Sequence, residues 1–149
     1  MITGSLRLAT VEGEGKQFVA TSGTGHALVV DGVEGNSAAK PTELALLALG
    51  ACTSFDVISI LRKKRQKVTS YYVELSAEQR DEYPRVFTRV LIKHILRGQI
   101  DPEAVKRAIH LSETKYCSVG GMIGKTAAIE SSFEILPESS TFPSGEASQ

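Results

Sequence analysis

Residues 41–61 have the sequence PTELALLALGACTSFDVISIL, and this pattern predicts one long helix. Pro41 is tolerated in the first turn of a helix, and Glu43 places a carboxylate near the positive end of the helix dipole. Apolar residues then recur at three- and four-residue spacing on one side of the helix and also fill the other side. Because a helix that is apolar all round belongs in an interior, we expect this helix to be buried at the centre of the fold.

Strand patterns surround the helix on both sides along the chain. Before it come three short ones, joined by glycine-rich turns: Ser5–Ala9, Phe18–Thr21 and Ala27–Val30. After it come two long alternating segments, two helical segments and a last strand: Thr69–Ala77, Val86–Leu96, a helix capped by Asp101, a short helix around Met122, and Ala127–Leu136. The order β-β-β-α-β-β-α-α-β predicts an α+β fold in a single domain, residues 1–136. The tail, residues 137–149, is expected to fray.

The composition argues against several classes of function. Acidic and basic residues balance at 17 each in this 149-residue chain, whereas a nucleic-acid-binding protein normally carries a basic surplus. The basic run Arg62–Lys67 is interpreted as a solvated helix end. No apolar run is expected to be long enough to cross a bilayer, and residues 1–10 do not resemble a signal peptide. We therefore expect a cytoplasmic protein with neither a nucleic-acid nor a membrane partner.

The chain has two cysteines, and their settings differ. Cys52 lies in the middle of the apolar helix, where a free cysteine often packs as a small hydrophobic residue. Cys117 follows a helix end and precedes another short helix, a position that favours the thiolate. Gly120–Gly121 is expected to allow close packing near Cys117. In a reducing compartment the two thiols are compatible with a redox pair but do not require one.

Asp56 and the histidines are the other chemically interesting residues of the sequence. Asp56 lies one turn after Cys52 on the same helix face, so it is either a site carboxylate that positions a cation or substrate, or a structural group paired elsewhere. His26 and His94 alternate with apolar residues and are predicted to lie on the surface. Two thiols cannot complete a zinc site alone, and no histidine stands at metal-ligand spacing from them, so we expect no metal and no cofactor.

Two motifs together resemble the two-cysteine signature of the OsmC/Ohr superfamily. They are Pro41–Leu44 leading into Gly50–Cys52, and Leu111–Ser112 followed by Lys115–Val119. The resemblance runs from about Ser5 to Leu136, and details such as Asp56-Val57 are more similar to the YhfA-like branch. It implies an OsmC-like fold, with mostly antiparallel sheets wrapped around a buried central helix. It also implies an intertwined homodimer whose active sites lie at the subunit interface.

The resemblance further implies a thiol-dependent peroxidase that reduces organic hydroperoxides in oxidative stress defence. Cys52 would attack the peroxide and become a sulfenic acid, and Cys117 would condense with it to a disulfide. An external dithiol would reduce the disulfide, so no cofactor is implied. The alternative is a non-catalytic OsmC-like dimer that binds or senses a small apolar ligand.

The sequence departs from the family pattern around the activating charges. Family peroxidases resemble one another in pairing an arginine from the N-terminal strands with a glutamate ten residues before the first cysteine. Here Thr42 occupies the glutamate position, and the neighbouring Glu43 is the candidate carboxylate. Lys16 is the basic residue in the N-terminal region, and it lacks the planar two-pronged pairing of arginine. Arg85 is a further candidate for the supporting cation.

Overall fold

The computed structural model describes residues 1–9 and 15–139. The elements occur in the predicted order: β1 Gly4–Leu8, β2 Phe18–Ser22, β3 Ala27–Val30, α1 Pro41–Lys63, β4 Lys67–Gln79, β5 Phe87–Gln99, α2 Pro102–Leu111, a π-helical turn Ser112–Tyr116, α3 Ser118–Ile123 and β6 Ala128–Leu136. The α+β prediction is therefore confirmed. Residues 140–149 of the predicted tail lie outside the described residues, as does most of the predicted glycine-rich joint at residues 13–15.

The chain divides into two compact units, Met1–Ala45 and Leu46–Gln149, and the prediction of one domain stays a prediction. The first unit contains an antiparallel sheet in the order β1-β2-β3. Its register pairs Leu6 with Ala20 and Ala20 with Leu28. The short strands and their turns make this a simple meander, which suits the local turn signals of the sequence.

The second unit is built on a sheet in the order β4-β5-β6. Strands β4 and β5 form a long antiparallel hairpin, while β6 runs parallel to β5 after the chain has crossed over through α2 and α3. The central strand β5 has one buried face, with Val90, Ile92 and Leu96, whereas Lys93 on the other face is exposed. The helices cover the buried face of this sheet, since α1, α2 and β5 share one apolar cluster.

Within the second unit, α1 buries one side and exposes the other. Leu49 is 1% exposed, and a Cβ at Gly50 would clash with the side chain of Leu75 on β4, so the glycine brings helix and sheet into close contact. On the opposite side Leu47 is 54% and Phe55 is 70% exposed in the single chain. The expectation that α1 is buried all round is therefore wrong for one isolated chain, because a single sheet covers a single face of a helix.

Helix α1 is also long and apolar enough to span a bilayer by length and composition, with 23 residues and a mean hydropathy of 2.0 over its most apolar window. The expectation that no segment reaches that length is wrong. This criterion is weak evidence for a membrane segment, because a core helix of a water-soluble protein also satisfies it. In this chain the buried side of α1 packs against β5 and α2 in an ordinary protein core.

Helix α2 begins at the predicted cap. The Asp101 side chain accepts a hydrogen bond from the Glu103 N–H at 3.0 Å, and Pro102 takes the first helical position, where no donor is lost. Such a cap contributes about 1 kcal/mol to helix stability. The helix packs Val105 and Ala108 into the core that it shares with α1 and β5. This packing fixes the end of α2, from which the π-helical turn departs.

The prediction that His94 lies on the surface is wrong. His94 is 0% exposed on the face of β5 that also carries Val90, Ile92 and Leu96. Its Nδ1 forms a 2.6 Å hydrogen bond with the hydroxyl of Tyr71 on β4, whereas its Nε2 has no hydrogen-bond partner among the described residues. Burial without a second partner lowers the pKa of His94 to about 4.

Candidate functional site

Cys52 occupies the middle of α1, on the side that faces the core of the second unit. It is half-buried and packs against the apolar cluster that contains Leu49 and Ile92. Four residues later, Asp56 lies on the same helix face, as the 3.6-residue period requires. The thiol and the carboxylate are therefore neighbours by local helical geometry alone.

The π-helical turn places Cys117 against α1. Its wide hydrogen bond joins the Cys117 N–H to the Ser112 carbonyl at 2.9 Å, across five residues. Such turns recur at functional sites because they shift the chain relative to a regular helix. The Cys117 side chain then caps α3, where its Sγ accepts a hydrogen bond from the Gly120 N–H at 3.2 Å. A Cβ at Gly120 would lie 3.1 Å from that sulfur, so the glycine provides the space that the sulfur occupies.

A chain of hydroxyl groups holds the Asp56 carboxylate in place. The Ser112 hydroxyl donates to Asp56 Oδ2 at 2.9 Å, and it lies 3.0 Å from the hydroxyl of Thr53. Thr53 and Ser112 are 2% and 0% exposed, so this link between α1 and the π-helical turn excludes water. Asp56 thus has a buried partner, as a carboxylate on an apolar helix face requires.

The three reactive groups converge on one point. The two sulfurs and a carboxylate oxygen of Asp56 all lie within 4.8 Å of one another. Both cysteines are free thiols. The pKa of Cys117 is raised to about 11, chiefly by burial and then by the neighbouring Cys52 thiol, with a smaller contribution from the negative charge of Asp56. The Gly120 N–H opposes the rise because it stabilises the thiolate.

Two cavities adjoin this cluster, one at Cys117 and the other at Asp56. The Cys117 cavity, of about 280 Å³, has a wall that is polar and apolar in equal parts, with Leu49, Ile92 and Ile129 as apolar members and Thr53 and Glu113 as polar ones. The Asp56 cleft, of about 300 Å³, contains Asp56 together with other side chains of the same region. They are Ser59, Ile60, Lys63, Lys64, Leu111 and Tyr116. The first cavity suits a molecule with both an apolar and a polar part, and the second offers positive charge near the carboxylate.

The remaining predicted site residues are Glu43, Lys16 and Arg85, and the structure describes local contacts for two of them. Glu43 and Lys16 belong to the first unit, where the Glu43 carboxylate accepts from the Lys40 N–H at 2.8 Å and lies 3.8 Å from the Lys40 ammonium group. Arg85 lies in the loop between β4 and β5, donates to the Asp81 carbonyl at 3.1 Å and stacks its guanidinium 5.1 Å from the centre of the Tyr83 ring. The roles assigned to these three residues stay predictions.

Comparison with known proteins shows which family the chain is similar to. The family model described as OsmC-like protein matches residues 34–132. Protein YhfA from Escherichia coli strain K12 is 42% identical over 124 residues, which cover 83% of this chain and 92% of that protein. The chain belongs to the OsmC-like family. The resemblance inferred from the two cysteine motifs is therefore confirmed, together with its YhfA-like branch.

Solved OsmC-like structures share this architecture. A hypothetical protein from Aquifex aeolicus VF5 is 28% identical, with a TM-score of 0.81 over 93% of this chain and 98% of that one. An organic hydroperoxide resistance protein from Elizabethkingia anophelis is 13% identical, with a TM-score of 0.68 over 91% of this chain and 96% of that one. The second likeness shows the fold alone. The OsmC-like fold predicted from the motifs is thus confirmed.

Some residues of the site in this OsmC-like chain have no recognisable signal in the sequence. Thr53 completes the link through Ser112 to Asp56, and Lys63 and Lys64 line the cleft beside it. Ser112 itself has a signal, because it belongs to the Leu111–Ser112 motif that carries the family resemblance. The lysines gave no such signal, because a basic run at a helix C-terminus is already explained by the helix dipole.

Proposed function

We propose that this chain is a thiol-dependent peroxidase that reduces organic hydroperoxides through Cys52 and Cys117. The observation that carries the proposal is the approach of the two sulfurs to within 4.8 Å. A disulfide needs a sulfur separation of about 2.05 Å, which a change of side-chain rotamer achieves from this starting point. The name of the Elizabethkingia anophelis relative, an organic hydroperoxide resistance protein, supports the same class of substrate.

The proposed cycle has three balanced steps. The Cys52 thiolate attacks the terminal peroxide oxygen, the O–O bond breaks, and the alcohol leaves with one proton, so that Cys52 becomes a sulfenic acid. Cys117 attacks the sulfenic sulfur, a disulfide forms and water leaves. An external dithiol then reduces the disulfide by thiol–disulfide exchange and is itself oxidised.

Two features of the site support the proposed roles. Cys117 is the more buried of the two thiols, and its sulfur is held by the Gly120 N–H. This position suits the resolving thiol, which reacts with Cys52 after Cys52 has been oxidised. The apolar side chains in the wall of the Cys117 cavity, Leu49, Ile92 and Ile129, provide a contact for the alkyl or aryl part of an organic hydroperoxide, and the polar part of the wall suits the peroxide group.

The proposal includes a cytoplasmic homodimer. The exposed side of α1 carries Leu47 and Phe55, and large apolar side chains exposed on one helix face are typical of a surface that a second chain covers. Sedimentation equilibrium measures the mass in solution. A monomer at micromolar concentration would remove this part of the proposal without touching the thiol chemistry.

The decisive experiment follows the two thiols through one exposure to peroxide. The reduced protein is treated with one equivalent of cumene hydroperoxide, after which free thiols are titrated and the intact mass is measured without reductant. We expect both thiols to disappear and the mass to fall by two hydrogen atoms. Because the chain contains no other cysteine, an intramolecular disulfide has one possible pairing.

Matched variants assign the roles in that experiment. Cys117→Ser should gain one oxygen atom as a Cys52 sulfenic acid that cannot be resolved, while Cys52→Ser should keep its thiol. If both thiols of the wild-type protein survive, the peroxidase proposal is wrong. The second candidate, a non-catalytic dimer, then gains support, and the departure from the family pattern at Thr42 and Lys16 favours it in advance. Binding of a fluorescent apolar probe to the peroxide-inert protein would test it.

A further inference from the structure

We propose that reduced Cys52, Asp56 and Cys117 form a binding site for one thiophilic divalent cation, of which Zn²⁺ is the type. Their three candidate donor atoms lie within 4.8 Å of one another and come from two separate elements, α1 and the start of α3. This inference concerns the reduced state and does not require peroxidase turnover.

The donor set matches the chemistry of zinc. Two thiolates and a carboxylate are all common zinc ligands, and the pair of sulfurs selects soft or borderline cations over Mg²⁺ and Ca²⁺. In a tetrahedral site with Zn–S bonds of about 2.3 Å, two sulfurs lie about 3.8 Å apart. The observed upper limit of 4.8 Å is about 1 Å wider, a difference that small side-chain rotations remove.

The carboxylate is already oriented by a partner outside the donor set. Ser112 is 0% exposed and donates its hydroxyl hydrogen to Asp56 Oδ2, and Thr53 supports Ser112 in turn. Metal-binding carboxylates are usually held by such an outer hydrogen bond, which fixes the direction of the free oxygen. On the other side, the Gly120 N–H fixes the Cys117 sulfur.

Charge balance is compatible with the same conclusion. The carboxylate of Asp56 is held by a neutral hydroxyl, and no salt bridge to it occurs within residues 1–9 and 15–139. A divalent cation that displaces the two thiol protons to solvent would leave a cluster with a net charge of −1, the same net charge as one carboxylate beside two protonated thiols, so binding buries no additional net charge. Three protein ligands leave a fourth position open, as in catalytic zinc sites, and the Cys117 cavity lies beside it.

The proposal links metal binding to the redox state of the pair. A disulfide between Cys52 and Cys117 has no thiolate to offer, so oxidation should expel the cation. Conversely, a bound cation occupies the lone pair with which Cys52 would attack a peroxide. The cation should therefore protect the thiols from oxidation, and a chelator should restore their reactivity.

Cobalt reports on this site directly, because Co²⁺ bound by thiolates absorbs in the near ultraviolet through sulfur-to-metal charge transfer. The full reduced chain is titrated anaerobically with Co²⁺ and then with Zn²⁺. We expect one Co²⁺ per chain, with a charge-transfer band that Zn²⁺ abolishes by displacement. Native mass spectrometry of the zinc-loaded protein should give the same stoichiometry.

Variants separate ligation from general surface binding. Cys52→Ser and Cys117→Ser should each lose most of the charge-transfer intensity. Ser112→Ala should keep the band but weaken zinc affinity by about tenfold, since loss of an outer hydrogen bond typically has that effect. Asp56→Asn should weaken binding further, whereas Asp81→Asn, an exposed aspartate in the β4–β5 loop, should bind as wild type does.

Circular dichroism of each variant confirms that it is folded before its affinity is compared. The proposal is overturned if Co²⁺ binds without a charge-transfer band, if the band persists in Cys52→Ser, or if Asp56→Asn and Asp81→Asn bind equally well. A protein that binds zinc but ignores cumene hydroperoxide would refute the peroxidase and leave the metal site standing. A protein that forms the disulfide with cumene hydroperoxide but binds no zinc would refute the metal site and leave the peroxidase proposal standing.

Discussion

Two polar clusters lie in the core of the second unit, and they differ in how their polar atoms are satisfied. In the first, which contains Cys52, Asp56 and Cys117, the Asp56 carboxylate accepts from Ser112, the Cys117 sulfur accepts from the Gly120 N–H, and a cavity adjoins each of these two groups. In the second, Tyr71 and His94 share one hydrogen bond, and His94 Nε2 has no partner among the described residues. The first cluster is built to be reached by other molecules, and the second is closed off from them.

Burial drives both clusters toward their neutral forms, but with different consequences. It raises the pKa of Cys117 to about 11 and lowers that of His94 to about 4, so both groups are uncharged near neutral pH. Beside a cavity, the neutral thiol of Cys117 can still react once the neighbouring Cys52 has been oxidised. Within a closed core, a neutral imidazole has no access to substrate and affects stability instead. Perturbed pKa values alone therefore do not identify an active site.

The largest expected effect is a loss of stability in mild acid caused by His94. Its pKa is about 4 in the folded protein, against 6.5 for a histidine that is fully exposed to water. The unfolded chain therefore takes up a proton at higher pH than the folded chain does, so the free energy of unfolding falls as pH drops from 6.5 toward 4. At about 1.36 kcal/mol per pH unit, the loss should be about 2 kcal/mol between pH 7 and pH 5.

Urea denaturation at several pH values measures this loss, and a second histidine provides the control. His94→Leu should remove most of the pH dependence above pH 5, where the carboxylates stay ionised. His110→Gln, on the exposed side of α2, should leave it unchanged. An equal pH dependence in wild type and His94→Leu would show that His94 titrates normally and that the contrast between the two clusters is false.

An effect of comparable size should follow from breaking the hydrogen bond in the closed cluster. Tyr71→Phe removes the hydroxyl that bonds His94 Nδ1, which leaves both ring nitrogens unpaired in the core. We expect a loss of about 1–3 kcal/mol in the free energy of unfolding, since a buried polar group without a partner costs that much. Tyr83→Phe, at an 85% exposed tyrosine, should be neutral.

The same variant sharpens the comparison because it should leave the thiols alone. If the two clusters are independent, disulfide formation in Tyr71→Phe after peroxide treatment should match the wild type once folding is verified. A large change in thiol reactivity would mean that the Tyr71–His94 pair belongs to the site, and the division drawn between the two clusters would fail.

Much of the fold could be predicted because its signals are local. The strand Ala27–Val30 was predicted with its observed ends, and Asp101 was predicted as the cap of α2 from three adjacent residues. In these segments turn and cap chemistry act within a few residues of each other, so the sequence contains the whole cause. The proximity of Asp56 to Cys52 was likewise predictable from one helical turn.

The rest depended on pairings that are distant along the chain. The burial of His94 follows from its position in phase with Val90, Ile92 and Leu96, a signal that was present but was outweighed by the usual exposure of histidine. The approach of Cys117 to Cys52 depends on the π-helical turn, Ser112–Tyr116, for which the composition gives no warning. The exposed side of α1 could not be predicted, because apolar periodicity does not indicate whether a helix face is buried by its own chain or by a second chain.

The smallest effect should come from two adjacent glycines that differ in one contact. A Cβ at Gly120 would lie 3.1 Å from the Cys117 sulfur, whereas a Cβ at Gly121 has no neighbour within 4 Å among the described residues. Both substitutions to alanine gain helix propensity of about 1 kcal/mol, but Gly120→Ala must also displace the sulfur by a few tenths of an ångström. We therefore expect Gly121→Ala to raise stability slightly and to form its disulfide at the wild-type rate. Gly120→Ala should form its disulfide on the order of a few times more slowly, since reactivity depends on the position of the sulfur.

Stopped-flow measurement of thiol loss after peroxide treatment distinguishes the Gly120→Ala and Gly121→Ala variants. Equal rates in both variants would indicate that the sulfur moves freely, and that the site is less preorganised than its hydrogen bonds suggest.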